Sequence, residues 1–298
     1  MNAVRNRYLS ASTAREIDSQ VAKVIRNLGT TTPPVRLEEV QELLKLDRQF
    51  YTKTDTGFFR ESVSRIRVGV HQVFERPMLV AEAIKKLSLR ALYVPDQKRI
   101  FIDSELPDPK IRWATAHEIT HDLCYEWHQD ALFGDSEHTV SEACHEQIEL
   151  EANYGAGRLL TLQDLFIEEI RGSEITLRSI NALAKKYENT WASMLWRTVE
   201  GLDYPAFGVL GEHPHHKCTG DRIRYFIRSR SFEEKFASTD EQTILSLMRS
   251  VSSWSRRGPL SRGDHVDITN TRGETCKFSL EVFGTAHDVL TLGQIVQA

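Results

Sequence analysis

Residues 113–128, WATAHEITHDLCYEWH, constrain this chain more than any other stretch. At their centre is HEITH: His117, Glu118, Ile119, Thr120 and His121. Asp108-Pro109 reads as an N-cap followed by the first helical residue, and no further proline or glycine appears until Gly134, so a helix is predicted here. On a helix, residues four apart share one face, about 6 Å apart along the axis. Two imidazoles placed that way can hold one Zn²⁺, and a glutamate between them can act on a metal-bound water. The competing reading is an amphipathic helix with two surface histidines and a solvated Glu118.

A zinc site needs a third protein ligand. The next helical stretch, residues 140–160 (VSEACHEQIELEANYGAGRLL), offers Glu142, His145, Glu146, Glu149 and Glu151. Glu149 and Asn153 are four apart and share a face, so one could ligate while the other orients a ligand by a hydrogen bond. Glu151 is two residues from Glu149 and points roughly the opposite way. Spacing alone leaves all five open.

Several segments occur in a telling order. Pro33-Pro34-Val35 is followed by Leu37, Val40 and Leu43; a strand at 99–103 precedes Arg112-Trp113-Ala114-Thr115-Ala116 and HEITH; then come Glu149-Leu150-Glu151-Ala152-Asn153 and Leu159-Leu160. In this order the chain resembles the ImmA/IrrE-type metallopeptidases, with their PPVxLxxLAxxLG, RFTLAHELGH and ExEANxFAxxLLMP segments, over about residues 10–200. The resemblance implies a zincin fold with Glu149 as the third ligand beside His117 and His121. Three departures stand out: Thr120 where glycine is usual, Gly155 where phenylalanine is usual, and Thr161-Leu162 where Met-Pro is usual. The resemblance further implies cleavage of a regulatory protein, a helix-turn-helix transcriptional repressor, in stress response or mobile-element control.

The chemistry expected of such a site is peptide hydrolysis. Glu118 would take the proton of the attacking water and deliver it to the leaving amine. Asn153 would stand behind one of the histidines. Tyr154, Tyr125 and Arg158 are within sequence reach as oxyanion donors. A non-catalytic regulator, binding DNA or a partner protein around a structural or vestigial zinc site, is the alternative; an intact Glu118 counts against it.

Composition narrows the setting. With 40% hydrophobic and 27% charged residues the chain is globular. A net charge of −4 gives no global case for nucleic-acid binding. No apolar run reaches the roughly 18 residues of a membrane span, and the first residues lack the apolar core of a signal peptide. Cys124, Cys144, Cys218 and Cys276 show no CxxC spacing. A cytoplasmic protein with reduced thiols is expected.

Along the rest of the chain, helices are predicted at 11–28, closed by Gly29, and at 36–46, with a strand at 48–53. Residues 54–88 look like an insertion holding a strand at 66–70 and a helix at 77–87. A hairpin is predicted at 91–94 and 99–103, and a loop at 129–139 whose end residues His128 and His138 are read as solvated. Residues 175–199 predict two helices with a turn near 187–190; Arg178, Lys185, Lys186 and Arg197 give the pair a helix-turn-helix look, though no clean basic face. The domain boundary is placed at residue 203. Beyond it a small α+β domain, sensory or regulatory in kind, is expected, with a strand at 206–211, helices at 221–228 and 241–254, and a hairpin across Thr271-Arg272-Gly273. His213, His215, His216 and Cys218 fit no standard zinc pattern and read as a loop. The fold class is therefore α+β: a zincin-like domain of a small sheet with the HEITH helix and a ligand helix, then a helix pair, then the smaller domain.

Overall fold

A computed structural model describes residues 3–29, 32–51, 91–94, 98–124, 142–212, 223–251, 257–286 and 288–296, and all structural statements concern these. The expected insertion elements at 66–70 and 77–87, the loop at 129–139 with His128 and His138, and the 213–218 histidine cluster lie outside them. The chain divides into two compact units, Leu9–Gln163 and Met1–Tyr8 with Asp164–Ala298. Among the described residues no helix is long and apolar enough to cross a membrane.

The first unit begins with α1 (Ala11–Leu28). Ser10 Oγ accepts from the Thr13 amide at 3.2 Å, and Gly29 closes the helix in the left-handed conformation at φ 65°. Helix α2 (Leu37–Leu44) follows. A three-stranded sheet in the order β2-β4-β3 pairs β2 (Asp47–Tyr51) parallel to β4 (Arg99–Asp103), and β3 (Ala91–Val94) antiparallel to β4. Helices α3 (Asp108–Leu123) and α4 (Glu142–Leu160) complete the unit. Ile17, Val21, Val40, Ile100, Ile102, Ile119, Leu159 and Leu160 form its buried core.

Helix α3 starts one residue earlier than the sequence predicts, at Asp108 and not Pro109. Pro107, at φ −62° and ψ 147°, is the N-cap, and Pro109 sits in the first turn, where a missing amide costs nothing. The helix is not amphipathic. Ala114, Thr115, Ala116, Glu118, Ile119, Thr120 and Asp122 are all buried, which is burial nearly all round. The buried hydroxyls stay satisfied within the helix: Thr115 Oγ1 donates to the Ile111 carbonyl at 2.8 Å and Thr120 Oγ1 to the Ala116 carbonyl at 2.9 Å. A helix so placed is the unit's central post, which removes the surface-histidine reading.

The second unit is built on a six-stranded sheet in the order β1-β6-β5-β9-β8-β7. Its strands are β1 (Val4–Arg5), β5 (Ala206–Glu212), β6 (Ile223–Arg228), β7 (Gly258–Thr269), β8 (Thr275–Gly284) and β9 (Asp288–Ile295). Only β1 pairs parallel, with β6. One face carries Phe207, Val209, Phe226, Phe278 and Val289, packed with Phe232 of α8 (Arg230–Lys235) and Ile244 and Met248 of α9 (Glu241–Val251). The other face carries Ala206, Leu210, Ile227, Leu290 and Leu292. These pack with residues of α5 (Asp164–Arg171), α6 (Leu177–Lys186) and α7 (Trp191–Gly201).

This packing moves the expected boundary. The helix pair of 175–199 shares a core with the sheet that follows it, so residue 203 falls inside the second unit. Residues 223–228 form a strand, not the predicted helix. Ile223, Phe226 and Ile227 match helical spacing in the sequence because both faces of this strand are buried, which erases the alternation of a half-exposed one.

Gly293 shows how tightly the sheet is filled. It lies opposite Phe207, and a Cβ there would sit 2.2 Å from Phe207 Cζ. That ring is wedged against Phe226, Phe232 and Phe278 and has nowhere to go. Gly293→Ala is expected to cost about 1–3 kcal/mol of the second unit's stability, measured by urea unfolding; an unchanged midpoint would contradict this packing.

Candidate metal centre

The site is assembled from helices α3 and α4. On α3 the i, i+4 spacing brings the two imidazoles together: His117 Nε2 and His121 Nε2 are 3.1 Å apart, and the rings meet edge to face with centroids 4.8 Å apart. From α4, Glu149 reaches both, with Oε2 3.2 Å from His117 Nε2 and Oε1 3.6 Å from His121 Nε2. These three are the group among the described residues that could hold a metal ion, with ligand atoms all within 4.8 Å of one another. Among the candidates whose side chains are described, Glu149 is the one the fold brings to both imidazoles. Glu151 is buried elsewhere and accepts from Gln147 Nε2 at 2.8 Å, while Glu146 is exposed. The side chains of Glu142 and His145 lie outside the described residues.

The donor set fits a small divalent cation. A tetrahedral ion with bonds of about 2.0–2.1 Å holds neighbouring donors about 3.3 Å apart. The observed 3.1, 3.2 and 3.6 Å separations bracket that value. Two ring nitrogens facing each other at 3.1 Å can share at most one proton, so a positive centre between them is the favourable arrangement.

Charge follows the same geometry. Burial would push the Glu149 carboxyl up, but its hydrogen bonds to His117 and His121 prevail and hold it well below the usual carboxylate range. Burial would lower His117; the Glu149 hydrogen bond and the charges of Glu118 and Glu149 outweigh it, and the pKa is raised. Asn153 acts on the same ring and also favours its charged form, although the buried His117 Nδ1 closes no hydrogen bond in this structure. Glu118 is buried, and burial pushes its carboxyl up to about 7 against the lowering effect of His117.

One contact near Glu118 escaped the sequence reading. The backbone amide of Tyr93, on edge strand β3, bonds Glu118, and the Tyr93 hydroxyl donates to Asp122. Lys98 Nζ adds a bond to the same Asp122 oxygen at 2.7 Å. A single strand residue thus grips positions 118 and 122, one turn apart on α3. No local pattern announces a contact between residues 29 apart in sequence.

Two of the expected oxyanion donors, Tyr154 and Arg158, bond Asp18. The Tyr154 hydroxyl lies 3.2 Å from both oxygens of Asp18, and Arg158 Nε donates to Asp18 at 2.7 Å, which ties α4 to α1. Tyr125 lies outside the described residues. Cys124 is buried and its thiol is pushed up to about 12, mainly by desolvation, so it offers no thiolate.

A mixed helix-and-strand unit with a buried HExxH helix and a glutamate from a second helix defines the class as metallopeptidase-like. Residues 69–197 match the family model of the M78 peptidases, described as the IrrE N-terminal-like domain, which supports the resemblance to the ImmA/IrrE family over this segment. The match supports a zincin-like fold for the segment. A Mycobacterium tuberculosis transcriptional regulator of known structure is similar at 12% identity with a TM-score of 0.54, over 94% of this chain and 88% of that one; at that identity the likeness concerns the fold. No curated relative matches the chain.

Glu149→Ala is expected to lower zinc affinity by at least about 100-fold, since removing a ligand costs more than removing the group behind it. Competition with a chelating dye reads this out. Undiminished affinity in a folded variant would move the third ligand to another residue.

Proposed function

We propose that this chain is a zinc-dependent endopeptidase acting on a regulatory protein. The observation that carries the proposal is the convergence of His117 Nε2, His121 Nε2 and the Glu149 carboxylate, with Glu118 buried beside them. Two nitrogens and a carboxylate are a donor set suited to zinc, and three protein ligands are the number that catalytic sites use. When bound, the ion polarises the scissile carbonyl and lowers the pKa of water.

The chain's own residues supply the rest. Glu118 is the proton carrier: its carboxylate takes a proton from the attacking water and returns it to the leaving amine. Burial brings its proton affinity close to that of a group exchanging protons near neutrality. The backbone hydrogen bond from Tyr93 favours the charged carboxylate of Glu118, the form that accepts the proton. To Asn153, which favours the charged form of His117, we assign the orienting role toward that ring.

For the substrate we propose a helix-turn-helix transcriptional repressor, on the strength of the family resemblance. The DNA-binding alternative loses support in the helix pair. In α7, the second of the two, no residue is exposed, so it presents no face to a groove. Two of the basic residues are also paired, Lys186 with Glu169 at 2.7 Å and Arg197 with Glu200 at 2.8 Å.

Zinc-loaded wild type and Glu118→Gln are to be incubated with purified helix-turn-helix repressors and the products sequenced by mass spectrometry. The wild type is expected to generate a new pair of termini, and Glu118→Gln to bind zinc equally while cutting at least about 100-fold more slowly. Cleavage by Glu118→Gln at the wild-type rate would overturn the mechanism.

A further inference from the structure

Gly155 on α4 and Thr120 on α3 touch more closely than any side chain at 155 would allow. A Cβ built at Gly155 would lie 2.3 Å from Thr120 Cγ2, 3.2 Å from Thr120 Oγ1 and 3.0 Å from Ile17 Cγ2 of α1. Carbon atoms pack at about 3.5–4.0 Å, so one methyl group here is more than about 1 Å too large. Thr120 cannot turn aside cheaply. It is fully buried, and its hydroxyl is tied to the Ala116 carbonyl at 2.9 Å, which fixes the rotamer that aims Cγ2 at Gly155. Ala116, one turn before Thr120 on α3, and Ala152 and Ala156, near Gly155 in sequence on α4, are small and fully buried.

The same two helices carry the metal centre. Thr120 is the residue before His121, and Gly155 lies on the helix that delivers Glu149. Glu149 stands 3.2 and 3.6 Å from the two imidazole nitrogens. A separation of the helices by about 1 Å would take its carboxylate out of common reach of one small ion, because ligand distances tolerate only about 0.2 Å. We infer that the Thr120–Gly155 contact is a positioning device: it sets the α3–α4 separation at which Glu149 completes the three-ligand set. The inference rests on the metal-site reading above.

The test is cobalt binding to the whole chain, followed by its visible absorption, in wild type, Gly155→Ala and the double variant Thr120→Ala/Gly155→Ala. Cobalt absorption reports ligand number and geometry, which a purely structural role would leave unmoved. Gly155→Ala is expected to bind at least about 10-fold more weakly with a weakened, shifted band, and the double variant, in which the clashing methyl and hydroxyl are gone, to recover affinity to within about threefold of wild type. A Gly155→Ala protein that loses thermal stability but keeps wild-type affinity and spectrum would overturn the inference, as the contact would then only pack the core. Should Gly155→Ala fail to fold, the double variant decides: folded and binding with the wild-type spectrum supports the inference, and unfolded or non-binding overturns it. A folded wild type that takes up no cobalt would instead sink the metal-site reading and this inference with it.

Discussion

The organising constraint is the meeting of two helices at one point, where a carboxylate from α4 faces two imidazoles from α3. Three polar side chains converging in a half-buried position are costly unless opposite charges or a cation compensate them. The lowered Glu149 and raised His117 show that the carboxylate and the imidazoles already satisfy part of that demand electrostatically. Removing Glu149 would leave the two imidazoles without the carboxylate that both face. The site and the α3–α4 packing are therefore a single problem, and the rest of the first unit reads as its solution.

Two devices hold that packing. On one side of α3, the edge strand reaches over the helix through Tyr93, with its amide on Glu118 and its hydroxyl on Asp122. On the side facing α4, small residues allow close approach, and Thr120 fills the space that Gly155 vacates. Both positions differ from the usual family pattern, and the structure shows that the two differences meet in one contact. Helix α4 is anchored in turn to α1 by Tyr154 and Arg158 on Asp18 and by Gln163 Nε2, which donates to the Asp18 carbonyl at 2.6 Å.

Much of the site could be read from sequence because its logic is local. HEITH needs only the period of a helix to bring His117 and His121 together, and the structure bears out that helix. Glu149 was different: spacing left five acceptors open, and only the order of segments pointed to it before the fold brought it to the imidazoles. Tyr93 and the Thr120–Gly155 contact were illegible, since each depends on residues far apart in sequence meeting through tertiary packing. The misreadings have the same origin. Residues 223–228 and 288–295 lie within a sheet covered on both faces, so their apolar residues carry no period of two. The spacing of the first predicts a helix, and the second carries no strand signal. The boundary expected at 203 follows local sequence breaks, whereas α6 and α7 share a buried core with β5 and β9, so the compact unit runs on through it.

The proposed centre stands or falls on what surrounds a bound zinc. X-ray absorption at the zinc edge of the loaded chain tests this directly. The proposed centre predicts one zinc with a shell of nitrogen and oxygen at about 2.0–2.1 Å, the multiple-scattering signature of two imidazoles, and no sulfur. A sulfur shell at about 2.3 Å, or a folded chain with no ordered zinc, would contradict it.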